Sequence, residues 1–358
     1  MKVNHGANLF ELSKKLGIAV EDLKDFSSNV NPLGPSPKAM DKLKNNLDKV
    51  SVYPDPQYDD LLTALEKYTG VPRANILLGS GTTNLISAYI GLCHPENAII
   101  FNPSYSEYER ELKKINANII SYDLKEEDDF KVNIDRLIDM IKSSDASLVI
   151  ITNPNNPTGY AIENSEIERL LKVEGCSFMI DETYIEFSNI PKYSSIELAL
   201  KYDNLLVLRS TSKFFSTCGI RLGYGITSGK ETIAALEKAQ NLWNINIFAD
   251  LMGTEMFTDE AYHKKTYDFI NSQKDYMIEE LSKLDALKVY PSESNFVLNK
   301  IVNKKMTAHE LREKLMADAL IIRDCASFIN LDEYFFRFCI LDEESNQKLI
   351  DRINEYLK

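Results

Sequence analysis

Over the middle of the chain, short apolar runs alternate with longer amphipathic stretches. The runs are "NILLGS" (75–80), "NAIIFN" (97–102), "SLVIITN" (147–153), "SFMID" (177–181), "NLLVLRS" (204–210) and "GYGIT" (223–227). They are apolar along their whole length, as strands covered on both faces are. Helical patterns between most of them predict an α/β fold: a mostly parallel central sheet with helices on both faces. Such sheets bind ligands at the carboxyl ends of their strands. The unusual residues gather at those ends: Gly79-Ser80-Gly81, Asn153–Gly159, Asp181 and Lys213.

After about residue 245 the texture changes. A long helical stretch (roughly 246–285) leads to "NFVLNK", a helix at 307–318, "LIIRD", "YFFRFCI" and a final helix. This predicts a second, smaller α/β domain. The first thirty residues run into "FSSNVNPLGPSP", an irregular Pro- and Asn-rich segment. The expected division is an N-terminal arm packing with the small domain (1–30), a large domain (31–245) and a small C-terminal domain (246–358).

Composition narrows the function classes. With 41 basic and 54 acidic residues the net charge is −13, which argues against nucleic acid or an anionic membrane as partner. A local pocket of Arg, His and backbone N–H groups can still hold an anion. The five cysteines (93, 176, 218, 325, 339) form no CxxC pair and the four histidines no HExxH spacing, so neither a disulfide scaffold nor a metal site is expected. "MKVNHGANLFELSKKLGI" holds no apolar run long enough for a signal peptide, and nowhere do eighteen apolar residues follow one another. A reducing, cytoplasmic setting is expected.

Each chemically suggestive feature has a plain alternative. "GSGTTN" (79–84) follows a strand and opens a helix; it is either a phosphate cradle of free N–H groups or an ordinary strand-to-helix turn. "NPNNPTG" (153–159) is a turn by composition. Asp181 could cap a helix, and Tyr184 could belong to the core. A lysine such as Lys213 is most often solvated, yet this one sits past a strand end, behind Ser210 and Ser212 and eight residues before Arg221. An imine-forming lysine must lose its proton near neutral pH, which nearby positive charge or burial achieves. An aldehyde cofactor would also need a carboxylate for its ring nitrogen, an aromatic face, and hydroxyls and cations for its phosphate. Tyr105, Asn156, Asp181, Tyr184, Ser210, Ser212, Lys213 and Arg221 supply these in order.

From "YPDP" (53–56) to "FFRF" (335–338), this pattern resembles the fold-type I pyridoxal-phosphate enzymes of the aspartate-aminotransferase superfamily. The resemblance implies that Lys213 carries pyridoxal 5'-phosphate as an internal aldimine and shuttles protons. It implies that Asp181 pairs with the ring nitrogen, that Tyr184 and Asn156 bond the ring oxygen, and that Tyr105 stacks on the ring. Gly81, Thr82, Thr83, Ser210, Ser212 and Arg221 would cradle the phosphate. Tyr53 would reach that phosphate from a neighbouring subunit, implying a homodimer with shared sites, and Arg337 would grip the substrate carboxylate.

The ends carry a narrower resemblance. "HGANLFELSKKLGIAVEDLKDFSSNVNPLGPSP" and "LIIRDCASFINLDEYFFRFCI" are similar to L-threonine-O-3-phosphate decarboxylases, which share "YPDP" and "RD" with histidinol-phosphate aminotransferases. The chain departs from their pattern at Ala7, where a second glycine is usual, and at Ser28, where alanine is common. By this resemblance His5, Asn29 and Arg323 surround the substrate phosphate, and the reaction is decarboxylation of L-threonine O-3-phosphate to 1-amino-2-propanol phosphate in a cobalamin-type pathway. The alternatives are an aminotransferase on a phosphorylated amine or amino acid such as histidinol phosphate, and a ligand-sensing relative without catalysis. Fold does not choose among them.

Overall fold

The computed structural model describes residues 7–358. A two-residue strand, β1 (Lys24–Asp25), precedes seven strands that build one sheet: β2 (Ile76–Gly79), β3 (Asn97–Asn102), β4 (Asn118–Asp123), β5 (Leu148–Thr152), β6 (Ser177–Asp181), β7 (Leu205–Ser210) and β8 (Gly223–Ile226). Their order across the sheet is β2-β8-β7-β6-β5-β3-β4. The strands from β4 to β7 pair in parallel. Only β8 runs against its neighbours, β7 and β2. Every residue of β2, β5, β7 and β8 is buried, as the unbroken apolar runs require.

The sequence pattern missed β4. It is an edge strand of mixed exposure, "NIISYD", in which only Tyr122 is buried. Polar residues on its open side remove the whole-length apolar signature. From β3 the chain steps outward to β4, then returns past β3 to β5, β6 and β7. The direction of winding therefore switches between β3 and β5, where α/β sheets open a crevice at their carboxyl edge.

The remaining strands are β9 (Leu287–Val289), β10 (Phe296–Ile301), β11 (Leu320–Ile321), β12 (Arg323–Asp324) and β13 (Phe335–Cys339). Four form an antiparallel sheet in the order β12-β13-β10-β9. "LIIRD" is not one strand. Its first half, β11, pairs in parallel with β1, so the N-terminal segment is stitched to the C-terminal third. Leu12, Leu23, Met316 and Ile321 bury a small apolar cluster across that junction. The helical stretch after 245 is broken into Ile247–Met256 and Glu260–Ser282. The first of these packs on helices Pro37–Lys44 and Asp59–Thr69. Its Gly253 faces Leu61 so closely that an added Cβ would lie 2.4 Å from that side chain.

A buried ion cluster ties the ends of β6 and β7 together. Arg209 Nε donates to Glu182 Oε2 at 3.0 Å, and Glu186 lies 3.7 Å from the same guanidinium. All three side chains are nearly inaccessible. Burial pushes the Glu186 carboxyl up to about 7, with Arg209 opposing. Glu182 follows Asp181 directly and Arg209 precedes Ser210, so the cluster fixes the register of the strand ends that carry the site. No helix among the described residues is long and apolar enough to cross a membrane.

Candidate active site

The crevice at the switch point is a cavity of about 360 Å³. Thirteen of the predicted site residues line it: Asn29, Thr82, Thr83, Tyr105, Asn156, Asp181, Tyr184, Ser210, Ser212, Lys213, Arg221, Arg323 and Arg337. Gly81 stands at its edge. Tyr53 does not line it: it is 73% exposed and stacks on Trp243 with ring centroids 4.3 Å apart. His5 lies outside the described residues.

One end of the cavity is an anion cradle. Helix Thr82–Cys93 begins there with Gly81 as its N-cap, at φ 77°. The first N–H groups of a helix have no partner within it. Arg221, itself in the left-handed region at φ 56°, reaches across this turn. A Cβ on Gly81 would lie 2.4 Å from Arg221 Nη2, and one on Gly223 would lie 2.7 Å from the Thr82 nitrogen. Only glycine lets the backbone turn so near the guanidinium. Ser210 and Ser212 come off the end of β7 beside it.

At the other side stands Asp181, at the carboxyl end of β6 and 3% exposed. Its Oδ1 accepts the Thr183 N–H (2.9 Å) and hydroxyl (2.5 Å), and its Oδ2 accepts the Tyr108 hydroxyl (2.7 Å). Burial raises the carboxyl above its ordinary range, and these donors, which favour the anion, oppose that. Tyr108 also meets the Thr152 hydroxyl at 3.0 Å and holds Tyr105 edge-on, centroids 5.5 Å apart. Tyr108 and Thr183 were missed from the sequence. The available signal was spacing: Tyr108 is three residues past Tyr105 at a helix start, and Thr183 sits two past Asp181, where an aspartate bonds its own backbone.

The "NPNNPTG" turn divides its asparagines between its own frame and the cavity. Asn155 closes it with bonds to Thr158 and Pro103. Asn156 is left facing the cavity, where its Oδ1 accepts from Arg337 Nη1. Lys213 Nζ donates to the Ser28 carbonyl at 2.6 Å, and Asn29 Nδ2 donates to the Tyr184 hydroxyl at 3.3 Å. Arg323 and Arg337 are directly opposite one another on β12 and β13. Arg337 Nη2 is held by the Ser27 carbonyl (2.8 Å) and its guanidinium lies over Phe296. Arg323 is oriented by Ser327 (2.9 Å) above Phe328. Among the described residues no carboxylate pairs with either arginine, and no cluster of three or more His, Cys, Asp or Glu could hold a metal ion.

The model for aminotransferase class I and II matches residues 21–353. The chain belongs to the aminotransferase class I and II family. Two curated relatives are decarboxylases by name. A Caldanaerobacter subterraneus protein with the provisional name threonine-phosphate decarboxylase is 37% identical over 98% of this chain and 92% of its own length. The threonine-phosphate decarboxylase of Salmonella typhimurium is 31% identical over 99% and 96%. Among solved structures, a histidinol-phosphate aminotransferase from Clostridium acetobutylicum is similar at a TM-score of 0.87, with 34% identity, covering 94% of this chain and 99% of that one. For this family member the cavity is a fit for pyridoxal phosphate. The Gly81–Arg221 cradle suits a phosphate, the buried Asp181 carboxylate suits a protonated ring nitrogen, and Lys213 lines the same cavity.

Proposed function

We propose that this chain is a pyridoxal-phosphate-dependent decarboxylase of an O-phosphorylated α-amino acid, with L-threonine O-3-phosphate as substrate. The observation that carries this reading is the pair Arg323 and Arg337. Like charges directly opposite on neighbouring strands repel, and among the described residues no ion-paired carboxylate relieves them, Asp324 opposing the repulsion at Arg323 only in part. A ligand with two anionic ends does. Arg337, seated by Asn156 and Ser27, presents one nitrogen fork to a carboxylate. Arg323, less buried than Arg337 and bonded to Ser327, is left for the phosphate.

When bound, pyridoxal phosphate supplies an aldehyde for amines and a ring that takes up the electron pair released at the α-carbon. In this reading Lys213 provides the amine that holds the cofactor and returns a proton to the α-carbon after carbon dioxide departs. Asp181 keeps the ring nitrogen protonated, and Tyr105 covers the ring face. Asn156 and Tyr184 bond the ring oxygen. Asn29 joins Arg323 around the substrate phosphate. Which bond breaks is decided by the orientation the arginines impose on the substrate.

The test is product identity. Incubated with O-phosphothreonine and no keto-acid acceptor, the enzyme should release carbon dioxide and 1-amino-2-propanol phosphate. The solved aminotransferase at 34% identity favours a second reading. Fast amino transfer to 2-oxoglutarate without carbon dioxide would establish that one instead. Arg323→Ala should raise KM for O-phosphothreonine at least tenfold, because a charge-assisted contact contributes about 1.5–3 kcal/mol. Its effect on unphosphorylated threonine should be small.

The same proposal includes a homodimer in which Tyr53 completes the partner's phosphate cradle. Support comes from the surface around it: Leu47, Val50, Val52, Tyr53 and Leu242 are all more than half exposed, an apolar concentration that favours a partner. Sedimentation velocity should give a dimer; an active monomer would refute it. The division into arm (1–30), large unit (31–245) and small unit (246–358) belongs to this reading and is supported for the arm by the β1–β11 pairing. So does a cytoplasmic setting, in keeping with five free cysteines.

A further inference from the structure

Asp25 lies outside the cavity, on β1, where pairing with β11 anchors it. Its carboxylate gathers the residues that follow. Oδ1 accepts the Ser27 N–H at 2.9 Å and the Ser27 hydroxyl at 2.6 Å, and Oδ2 accepts the Ser28 hydroxyl. An aspartate that bonds the backbone two residues on makes an Asx turn, which sets the direction of the next peptide planes. Asn29 ends the turn in the left-handed region, at φ 57°.

Three consecutive carbonyls are thereby aimed at side chains. That of Ser27 accepts from Arg337 Nη2 at 2.8 Å, that of Ser28 from Lys213 Nζ at 2.6 Å, and that of Asn29 from Asn295 Nδ2 at 2.9 Å. Among the described residues no other hydrogen bond and no carboxylate holds the Lys213 amine. Without this acceptor a long, flexible side chain would spread over many rotamers.

We propose that Asp25 is a positioning residue of this site: by setting the 27–29 turn it holds the Lys213 amine on the Ser28 carbonyl whenever that amine is free, and it seats Arg337 at the same time. The proposal rests on the reading of Lys213 as the amine that takes the cofactor. It explains why a carboxylate that does not itself line the cavity makes three hydrogen bonds within four residues of chain.

The experiment uses the full-length chain freed of cofactor and an amine-acylating reagent, with labelling of each lysine followed by peptide mass spectrometry. Lys274, buried on helix Glu260–Ser282 and bonded to Asn271, is the internal control. Asp25→Ala should label Lys213 about tenfold faster than wild type, the effect of losing one hydrogen bond to a charged group, with Lys274 unchanged. Asp25→Asn keeps an oxygen for Ser27 and should fall between. Equal Lys213 rates in wild type and Asp25→Ala would overturn the proposal. So would joint acceleration of Lys213 and Lys274 in both variants, which would mean a loosened fold. Borohydride reduction of the wild-type holoenzyme tests the parent reading separately: a label on another lysine would remove that reading and this proposal with it.

Discussion

In a Lys213→Ala chain, carbon dioxide release from O-phosphothreonine should fall by roughly three orders of magnitude or more. On the proposed reading two contributions vanish together: the amine that holds the cofactor, and the group that carries the proton, whose kind of catalysis is worth about 10²–10⁴-fold on its own. The position of Lys213 makes the assignment specific. It follows β7 by three residues, faces the cavity with Asp181 and Arg221, and its amine has a single acceptor among the described residues, the Ser28 carbonyl. Arginine in its place should fail as completely, since a guanidinium stays charged and does not act as a nucleophile. Borohydride reduction of the wild type followed by digestion should leave the cofactor on the peptide containing Lys213. Label elsewhere, or turnover within tenfold of wild type in Lys213→Ala, would end the assignment.

The parts of this molecule legible in its sequence are those where one strand's composition decides its fate. β3 and β6 were located residue for residue because both faces of the sheet are covered, so that the positions between their ends are apolar. The carboxyl ends of β6 and β7 followed, and with them Asp181 and Lys213. β4 was not legible because an edge strand can be polar on its open side. β11 and β12 read as one strand because pairing partners leave no local trace. Leu320 and Ile321 bond the N-terminal segment some three hundred residues away in sequence, whereas Arg323 turns to β13.

The same limit applies to the site. The pairing of Arg323 with Arg337 depends on register across two antiparallel strands, and nothing in either segment announces it. The turn at 27–29 read as an irregular Asn- and Pro-rich stretch. Its work is done by main-chain carbonyls, which any sequence possesses. Nothing in the sequence singled out Tyr108; its hydroxyl matters only because β6 ends opposite it. Side chains that act on the cofactor pocket directly carried a residue-type signal, whereas those that hold other side chains in place did not.

Asp181→Ala should cut turnover at least a hundredfold even with cofactor saturating, and Asp181→Asn should do nearly as badly. The carboxylate is buried at the end of β6 and accepts three hydrogen bonds, two from Thr183 and one from Tyr108. Burial alone would favour its neutral form. The three donors favour the anion, and a protonated ring nitrogen in the cavity favours it further. On the proposed reading an anion so held would keep that nitrogen protonated and stabilise charge where it develops in the reaction. Removing one such preorganised electrostatic partner typically costs about 10²–10³ in rate. Asparagine fills the same space and keeps an acceptor for Thr183, so its failure would separate charge from packing. Tyr108→Phe removes one of the three donors and leaves the carboxylate in place. It should lose only about tenfold and should bind cofactor nearly as well. The comparison is turnover of the three variants at saturating cofactor, with thermal unfolding as the check on folding. Wild-type-like turnover in Asp181→Asn would refute the role of the charge, and a loss in Tyr108→Phe as large as in Asp181→Ala would make Tyr108 the principal group.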